Sequence, residues 1–588
     1  MTNKAMTPIE TLQVPTRPAR RFIGETLNLE SWNDVKPFYD ELLHRPINNT
    51  DDLRQWLLDR SELESYLSEN FAWRYINMTR DTANEELVND LNLFIADIQP
   101  NMTEYGNDLD LKTVNSPYLS QLTDAGFDVM VRSMKKSIEI FREANIPLQT
   151  EIQTEERKYG AIAGAMTVNI DGRELTLPEA SDRLQSPDRA ERETAWRKIS
   201  ERRYRDHQTL DQLFETLIDL RHRVALNAGF ANFRDYSFAA LGRFDYSPQD
   251  CFDFHESVAS AVVPLLNNLA QARKAKLRVD TLRPWDAKVD VDGRPPLKPF
   301  GSGNELIEKT IVCFDKLDRE LGDDLRIMRA MGHLDVESRK GKAPGGYNYP
   351  LEEIGVPFIF MNATTSLRDL VMMVHEGGHA VHSFLTREMP LKAFRNPPME
   401  VAELASMSME LLSMDHWDVF FENPDDLRRA KRQHLESIIE TLPWVATIDK
   451  FQHWVYENPP KSRSVHTDAD RCDNWVRIYD QFADSITDWS GLAYYKEYGW
   501  QRQLHLYEVP FYYIEYGIAQ LGALGVWRNY RRDPKAGLAG YKAALSLGYK
   551  APIRDIYAAA GVSFNFSSAY IRELMAFVEE EINELKSF

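Results

Sequence analysis

The run from Ser366 to His382, Ser-Leu-Arg-Asp-Leu-Val-Met-Met-Val-His-Glu-Gly-Gly-His-Ala-Val-His, constrains the fold more than any other part of the chain. Ser366 followed by Asp369 is a variant of the capping box that starts a helix. Leu367, Leu370, Val371, Val374, Gly378 and Val381 then recur at helical steps and form one apolar stripe. On that helix His375 and His379 stand ~40° apart, one turn up the same face. Two imidazoles so placed can grip one zinc ion, and Glu376 beside them can act on the attacking water. Gly377 and Gly378 add a spatial constraint. Each costs ~1 kcal/mol relative to Ala inside a helix, so a helix that keeps both is approached closely by substrate or by a second helix.

A catalytic zinc usually takes three protein ligands and leaves one position open. The metzincin arrangement would need Gly at 382 and His at 385, and the chain has His382 and Leu385 instead. The next helical stretch, Pro398-Met-Glu400-Val-Ala-Glu403-Leu-Ala-Ser406-Met-Ser-Met-Glu410, offers two carboxylates for the third ligand. Glu403 sits among apolar and small neighbours, where a buried carboxylate is costly without a cation. Glu400 is ~60° away on the same wheel, so spacing leaves it open. In the first turn after Pro398, however, a solvated carboxylate beside the helix N-terminus is the ordinary expectation. Glu410, two turns beyond Glu403, can accept a hydrogen bond from a ligand histidine or form a plain ion pair.

Elsewhere the pattern is largely helical. Leu53, Trp56, Leu57, Leu63, Tyr66 and Leu67 mark an amphipathic stretch from Thr50 to about Asp97, and helical spacing resumes from Leu119 to Ala144. Residues 1–30, rich in Thr, Pro and Arg, read as an extended arm. Asp171-Gly172 between β-rich arms predicts a hairpin over Met166–Leu177. The charged helical stretch that begins at Pro187 sets a soft boundary near 185, with an N-terminal helical lobe over 1–185 and a catalytic domain over 186–588. Pro/Gly-rich loops are expected at Leu282–Gly303 and Gly341–Gly346, and helix breaks at Asn396–Pro398, Asn458–Pro460 and Pro552. The expected fold is mainly α, with a small β element ahead of the His-Glu-Gly-Gly-His helix.

Composition excludes several function classes. With 43% hydrophobic and 27% charged residues, a large buried core is compatible with a water-exposed surface. No apolar run reaches the ~18 residues of a membrane span, and the opening Met1-Thr-Asn-Lys-Ala-Met-Thr-Pro has no apolar core of a secretory signal. A net charge of −20 argues against nucleic acid and anionic membrane as partners. Cys251, Cys313 and Cys472 lie far apart, in no mutual ligand spacing, which matches a reducing compartment and a cytoplasmic location.

His375-Glu-Gly-Gly-His-Ala-Val-His followed by Val401-Ala-Glu403-Leu-Ala-Ser-Met-Ser-Met-Glu410 resembles the thimet-oligopeptidase superfamily, and its oligoendopeptidase F branch most of all. Gly345-Gly346-Tyr-Asn-Tyr and Pro357-Phe358-Ile-Phe360-Met-Asn362 resemble that family's glycine loop and the strand lining its active site. His505-Leu-Tyr-Glu-Val-Pro-Phe-Tyr512-Tyr513-Ile-Glu-Tyr516-Gly resembles its His- and Tyr-rich loop, one residue shorter than in the thimet branch. The likeness covers roughly 190–575.

It implies a two-lobed helical zinc endopeptidase with a deep channel, cutting short unfolded peptides. It further implies zinc on His375, His379 and Glu403, with Glu376 as general base; one zinc per chain is the expectation, with Glu410 either behind a ligand histidine or in a plain ion pair. His505 and a tyrosine would stabilise the oxyanion, with Tyr516 preferred over Tyr513 and Tyr512. Gly345, Gly346, Phe358, Phe360 and Tyr512 are the expected substrate contacts. The strand Phe358–Met361 would either take peptide as an added strand or be an ordinary buried edge. A helical zinc carboxypeptidase shares the His-Glu-Gly-Gly-His motif but needs a His-Glu-Ser near the third ligand. Here His255-Glu256-Ser257 precedes the helix. A zinc-stabilised peptide-binding protein without turnover would have no use for Glu376.

Overall fold

Amphipathic spacing carries through to the architecture. In the computed structural model, which describes residues 12–457 and 466–585, the molecule is 69% helical and its strands form two small sheets. Residues 1–11 of the expected arm and the break at Asn458–Pro460 lie outside the described residues. The Thr50–Arg80 helix starts at Asn49, whose side chain accepts from the Asp52 amide. It buries Leu53, Trp56, Leu57, Leu63, Tyr66 and Leu67, the spacing read from the sequence.

Those side chains belong to an N-terminal hydrophobic cluster that runs from Ile23 to Met130 and takes in Met389, Leu391 and Phe394. A second, larger cluster runs from Leu148 to Ile582. Packing thus changes hands between Met130 and Leu148. The hairpin packs in the larger cluster through Val168 and Ile170. Its strands β1 (Thr167–Ile170) and β2 (Arg173–Thr176) pair antiparallel, and Asp171 and Gly172 both take positive φ, 55° and 77°, as a tight two-residue turn requires.

The second sheet sits ahead of the histidine helix. It contains β3 (Leu334–Glu337), β4 (Tyr347–Tyr349) and β5 (Phe358–Ala363) in the order β3–β5–β4. Strand β5 is therefore the middle strand, parallel to β3 and antiparallel to β4. Its hydrogen bonds are already taken on both edges, so it can neither receive a peptide as an added strand nor be a sheet edge. Phe358 and Phe360 are buried against Ala72 and Ile76 of the Thr50–Arg80 helix and Leu351. They are core residues, which corrects their expected role as substrate contacts. The strand left at the sheet margin on this side is β4.

Four helices frame the chemistry: Leu367–Thr386, Met399–Met414, Pro424–Glu457 and Tyr513–Arg532. The first begins with the expected capping box: Asp369 accepts from the Ser366 amide at 2.9 Å, and Ser366 Oγ accepts from the Asp369 amide at 3.3 Å. The Met399–Met414 helix, starting after Pro398, lies between the first helix and Tyr513–Arg532. No helix among the described residues is long and apolar enough to cross a membrane.

Candidate active site

The paired glycines explain how two helices reach each other. A Cβ on Gly378 would stand 2.6 Å from Ser406 Cα and 2.7 Å from the Ala405 carbonyl, both backbone of the Met399–Met414 helix. A Cβ on Gly377 would stand 2.7 Å from the Phe314 ring. The close approach is by a second helix and a core phenylalanine, not by substrate.

That approach brings Glu403 to the histidine pair. Its Oε2 lies 3.4 Å from His375 Nε2 and 3.8 Å from His379 Nε2, and the three donor atoms fall within 4.8 Å of one another. The two imidazoles stand nearly perpendicular, at 86° with centroids 5.0 Å apart. Glu403 is buried, and Ser406 Oγ donates to its Oε2 at 3.0 Å. Glu410 lies 2.6 Å from His375 Nδ1 through Oε1 and 3.5 Å from His434 Nε2 through Oε2. With Nδ1 held by Glu410, Nε2 is the nitrogen that faces Glu403 and the one a cation would take up on displacing its proton.

The electrostatics suit a cation. Burial lowers the pKa of His375, yet the hydrogen bond to Glu410 and the charges of Glu403, Glu410 and Glu376 outweigh it and raise the group to about 10. Three carboxylates around one imidazole make a negative hollow. His379, which lacks such a carboxylate bond, is lowered to about 4 by burial. Glu376, at 6% exposure, is raised to about 7 by burial. Two imidazoles and one carboxylate converging in that field are a donor set for zinc.

Glu400 departs from expectation. It is 2% exposed and accepts from the Tyr246 hydroxyl at 2.5 Å, so it is no solvated carboxylate and its side chain is engaged with Tyr246. This partner is distant in sequence, and nothing local announces it.

The aromatic loop reaches the same hollow. Tyr512 Oη donates to Glu403 Oε1 at 2.8 Å, so its hydroxyl is engaged with the carboxylate. His505 Nε2 and Tyr516 Oη lie 3.4 Å apart. Gln503 Nε2 donates to His505 Nδ1 at 2.7 Å, which puts the ring proton on Nε2, on the Tyr516 side. Burial lowers His505 to about 4, so the ring is neutral. Tyr513 packs its ring edge-on to His505, centroids 4.8 Å apart. Gln503 was missed in the sequence, although its position two residues before His505 could have marked it.

The glycine loop packs against the histidine helix. Gly345 takes φ +99°, and a Cβ on Gly346 would stand 2.7 Å from Met372 Sδ and 3.3 Å from the Phe360 carbonyl. The loop leads into β4, where the Asn348 side chain donates to the Glu376 carbonyl at 3.3 Å. The marginal strand and the Glu376 backbone are thus tied together.

Residues 183–576 match the description "Peptidase family M3", and residues 26–141 match "Peptidase M3 N-terminal domain". Among curated relatives, oligoendopeptidase F from Lactococcus lactis subsp. cremoris is 23% identical over 424 residues, 70% of this chain and 66% of that protein. Oligopeptidase PepF of Bacillus subtilis is 24% identical over 348 residues, 58% of this chain and 49% of that protein. These matches span at most about two thirds of the relatives' length. Among solved structures, PZ peptidase A in complex with an inhibitor superposes with a TM-score of 0.88 at 26% identity, covering 94% of this chain and 97% of the other. Oligoendopeptidase F from Enterococcus faecium gives a TM-score of 0.63 at 16% identity, covering 94% and 97%, a likeness of fold alone.

Proposed function

Since the chain belongs to peptidase family M3, we propose that it is a zinc endopeptidase hydrolysing internal bonds of short unfolded peptides in the cytoplasm. One observation carries the reading: His375, His379 and Glu403 present three donor atoms within 4.8 Å of one another, with Glu376 on the same helix. These three side chains would hold the zinc, and Glu410 would keep His375 in the tautomer that coordinates through Nε2. The three free buried cysteines agree with a reducing location.

When bound, zinc lowers the pKa of a coordinated water and polarises the scissile carbonyl. Glu376 takes a proton from the attacking water at its carboxylate and returns it to the leaving amine. Negative charge that develops on the former carbonyl oxygen is met by the His505 Nε2 proton and the Tyr516 hydroxyl. Tyr512 holds Glu403 in place and does not face the carbonyl. An extended peptide pairs with the β4 margin through its backbone, which favours broad specificity because side chains are barely read. Gly345, with nothing within 4 Å of where a Cβ would stand, gives that backbone room to approach, whereas the bare Cα of Gly346 is taken up by Met372 and the Phe360 carbonyl.

Digestion of a mixed peptide library, read by mass spectrometry with and without chelator, tests this. Internal cuts lost on chelation are expected. One-residue losses from the C-terminus would assign a carboxypeptidase instead, and binding without cleavage a non-catalytic peptide-binding protein.

A further inference from the structure

A second group of metal-ligating side chains lies between the Pro248–Ala261 and Pro424–Glu457 helices, outside the site described above. Cys251 and His255 are one turn apart on the first helix, and Asp449 and His453 one turn apart on the second. All four are buried, Cys251 and His453 at 1% exposure and His255 and Asp449 at 0%. Donor atoms of Cys251, Asp449 and His453 lie within 4.8 Å of one another. The cysteines have no ligand spacing among themselves, so a search by cysteine alone overlooks the Cys251–His255 step.

The hydrogen-bonding capacity of the group is largely unspent. His255 Nε2 meets Asp449 Oδ2 at 2.8 Å. His453 Nε2 stands 3.4 Å from the same oxygen, but neither His453 nitrogen makes a hydrogen bond, and Asp449 Oδ1 and His255 Nδ1 also lack partners. Buried polar atoms are nearly always satisfied, and each orphan costs free energy. The surroundings cannot supply the missing partners: the His453 ring is ringed by Phe252, Phe511 and Phe238, at centroid distances of 4.8, 5.4 and 5.9 Å. A carboxylate in such an aromatic shell is expensive without a cation.

We propose that Cys251, Asp449 and His453 bind a second metal ion, zinc by the chemistry of one thiolate, one imidazole and one carboxylate, with His255 holding the Asp449 carboxylate in position. Loading displaces the Cys251 thiol proton to solvent. The dication then balances one thiolate and one carboxylate, leaving the buried cluster neutral. The ion would also brace the aromatic loop. Gln452, next to His453, accepts from the Phe511 amide at 2.6 Å, and Phe511 takes φ +67° immediately before Tyr512. A strained turn of this kind persists only where its surroundings over-determine it.

The full-length protein grown with cobalt in place of zinc tests the assignment. The site of His375, His379 and Glu403 contains no sulfur, so a thiolate-to-cobalt charge-transfer band can come only from a cysteine. The expected result is such a band in the parent protein with two cobalt ions per chain. Cys251→Ser should abolish the band and leave one ion, and His453→Gln should weaken or abolish it. His379→Ala should keep the band while cobalt falls to one ion per chain, which separates failure of this site from failure of the peptidase site. Absence of the band from both parent and His379→Ala, or its survival in Cys251→Ser, where Cys313 or Cys472 would be the source, overturns the proposal. If Cys251→Ser does not fold, His453→Gln decides it: a band unchanged in that variant overturns the proposal, and its loss or weakening supports it.

Discussion

The phenol of Tyr512 donates to Oε1 of Glu403 at 2.8 Å. On the proposed function this bond would separate the work of tyrosines that are near neighbours in sequence, because a hydroxyl spent on the Glu403 carboxylate is not free for a reacting carbonyl. Tyr512→Phe should therefore weaken zinc binding ~10-fold, as loss of a group that orients a ligand does, with a smaller effect on kcat at saturating zinc. Tyr516→Phe should lower kcat by roughly 10²-fold with KM and zinc content unchanged, the behaviour of a lost oxyanion donor. Zinc titration beside steady-state kinetics on both variants makes the comparison. The opposite pattern would exchange the two roles.

Glu410 lies 2.6 Å from His375 Nδ1 and 3.5 Å from His434 Nε2. Glu410→Ala removes the acceptor at Nδ1 and should reduce zinc affinity ~10- to 100-fold. Glu410→Gln, which keeps an acceptor oxygen, should recover part of that loss. Competition with a chelator of known affinity measures both. Unchanged affinity in the Ala variant would make the 2.6 Å contact a plain ion pair.

Glu376→Gln preserves shape and the three proposed ligands while removing the proposed base. Turnover should fall ~10²- to 10⁴-fold, with zinc retained and peptide still bound. Calorimetric binding and product formation on the same preparation check this, and near-parental hydrolysis would exclude Glu376 as base.

Gly378→Ala places a methyl 2.6 Å from backbone that cannot swing aside. It should cost ~1–3 kcal/mol as overpacking and lower zinc occupancy, because the two helices that bring the ligands together are pushed apart. Gly106→Ala, within the Gln99–Val114 helix and with nothing within 4 Å of the new carbon, is the control and should be neutral or stabilising by up to ~1 kcal/mol. Thermal unfolding and metal analysis of the pair separate helix propensity from packing.

Asp324 gives a pH-dependent prediction away from the site. Burial, reinforced by the charge of Glu320, raises its carboxyl to about 8. In the unfolded chain the group loses its proton near ~3.9. Between about pH 4 and pH 8 the folded state therefore binds the extra proton, and this group makes stability fall as pH rises. Asp324→Asn removes the dependence. Its unfolding midpoint should exceed that of the parent at pH 7.5, and the difference should vanish at pH 4 and below.

The local signals proved legible. The Ser366–Asp369 cap, the one-turn step from His375 to His379, the buried setting of Glu403 and the Asp171-Gly172 turn each lie within a few residues, where spacing and backbone preference decide the outcome. The aromatic loop was legible as a group, but the different partners of Tyr512 and Tyr516 were not, since they depend on which atom stands opposite each hydroxyl.

What the sequence determined by itself is thus a helix with two candidate ligands, a second helix with a candidate third, and the chemistry those side chains would allow. Tertiary structure alone decided that Gly378 is a seat for the Ser406 backbone, that β5 is enclosed by β3 and β4, that Glu400 is buried against Tyr246, and that Cys251 meets Asp449 and His453. The physical reason is range. Caps, turns and helical faces arise from interactions within one or two turns of chain, whereas a strand's place in its sheet and a buried group's partner depend on which distant segment packs opposite. That is settled only when the whole core closes.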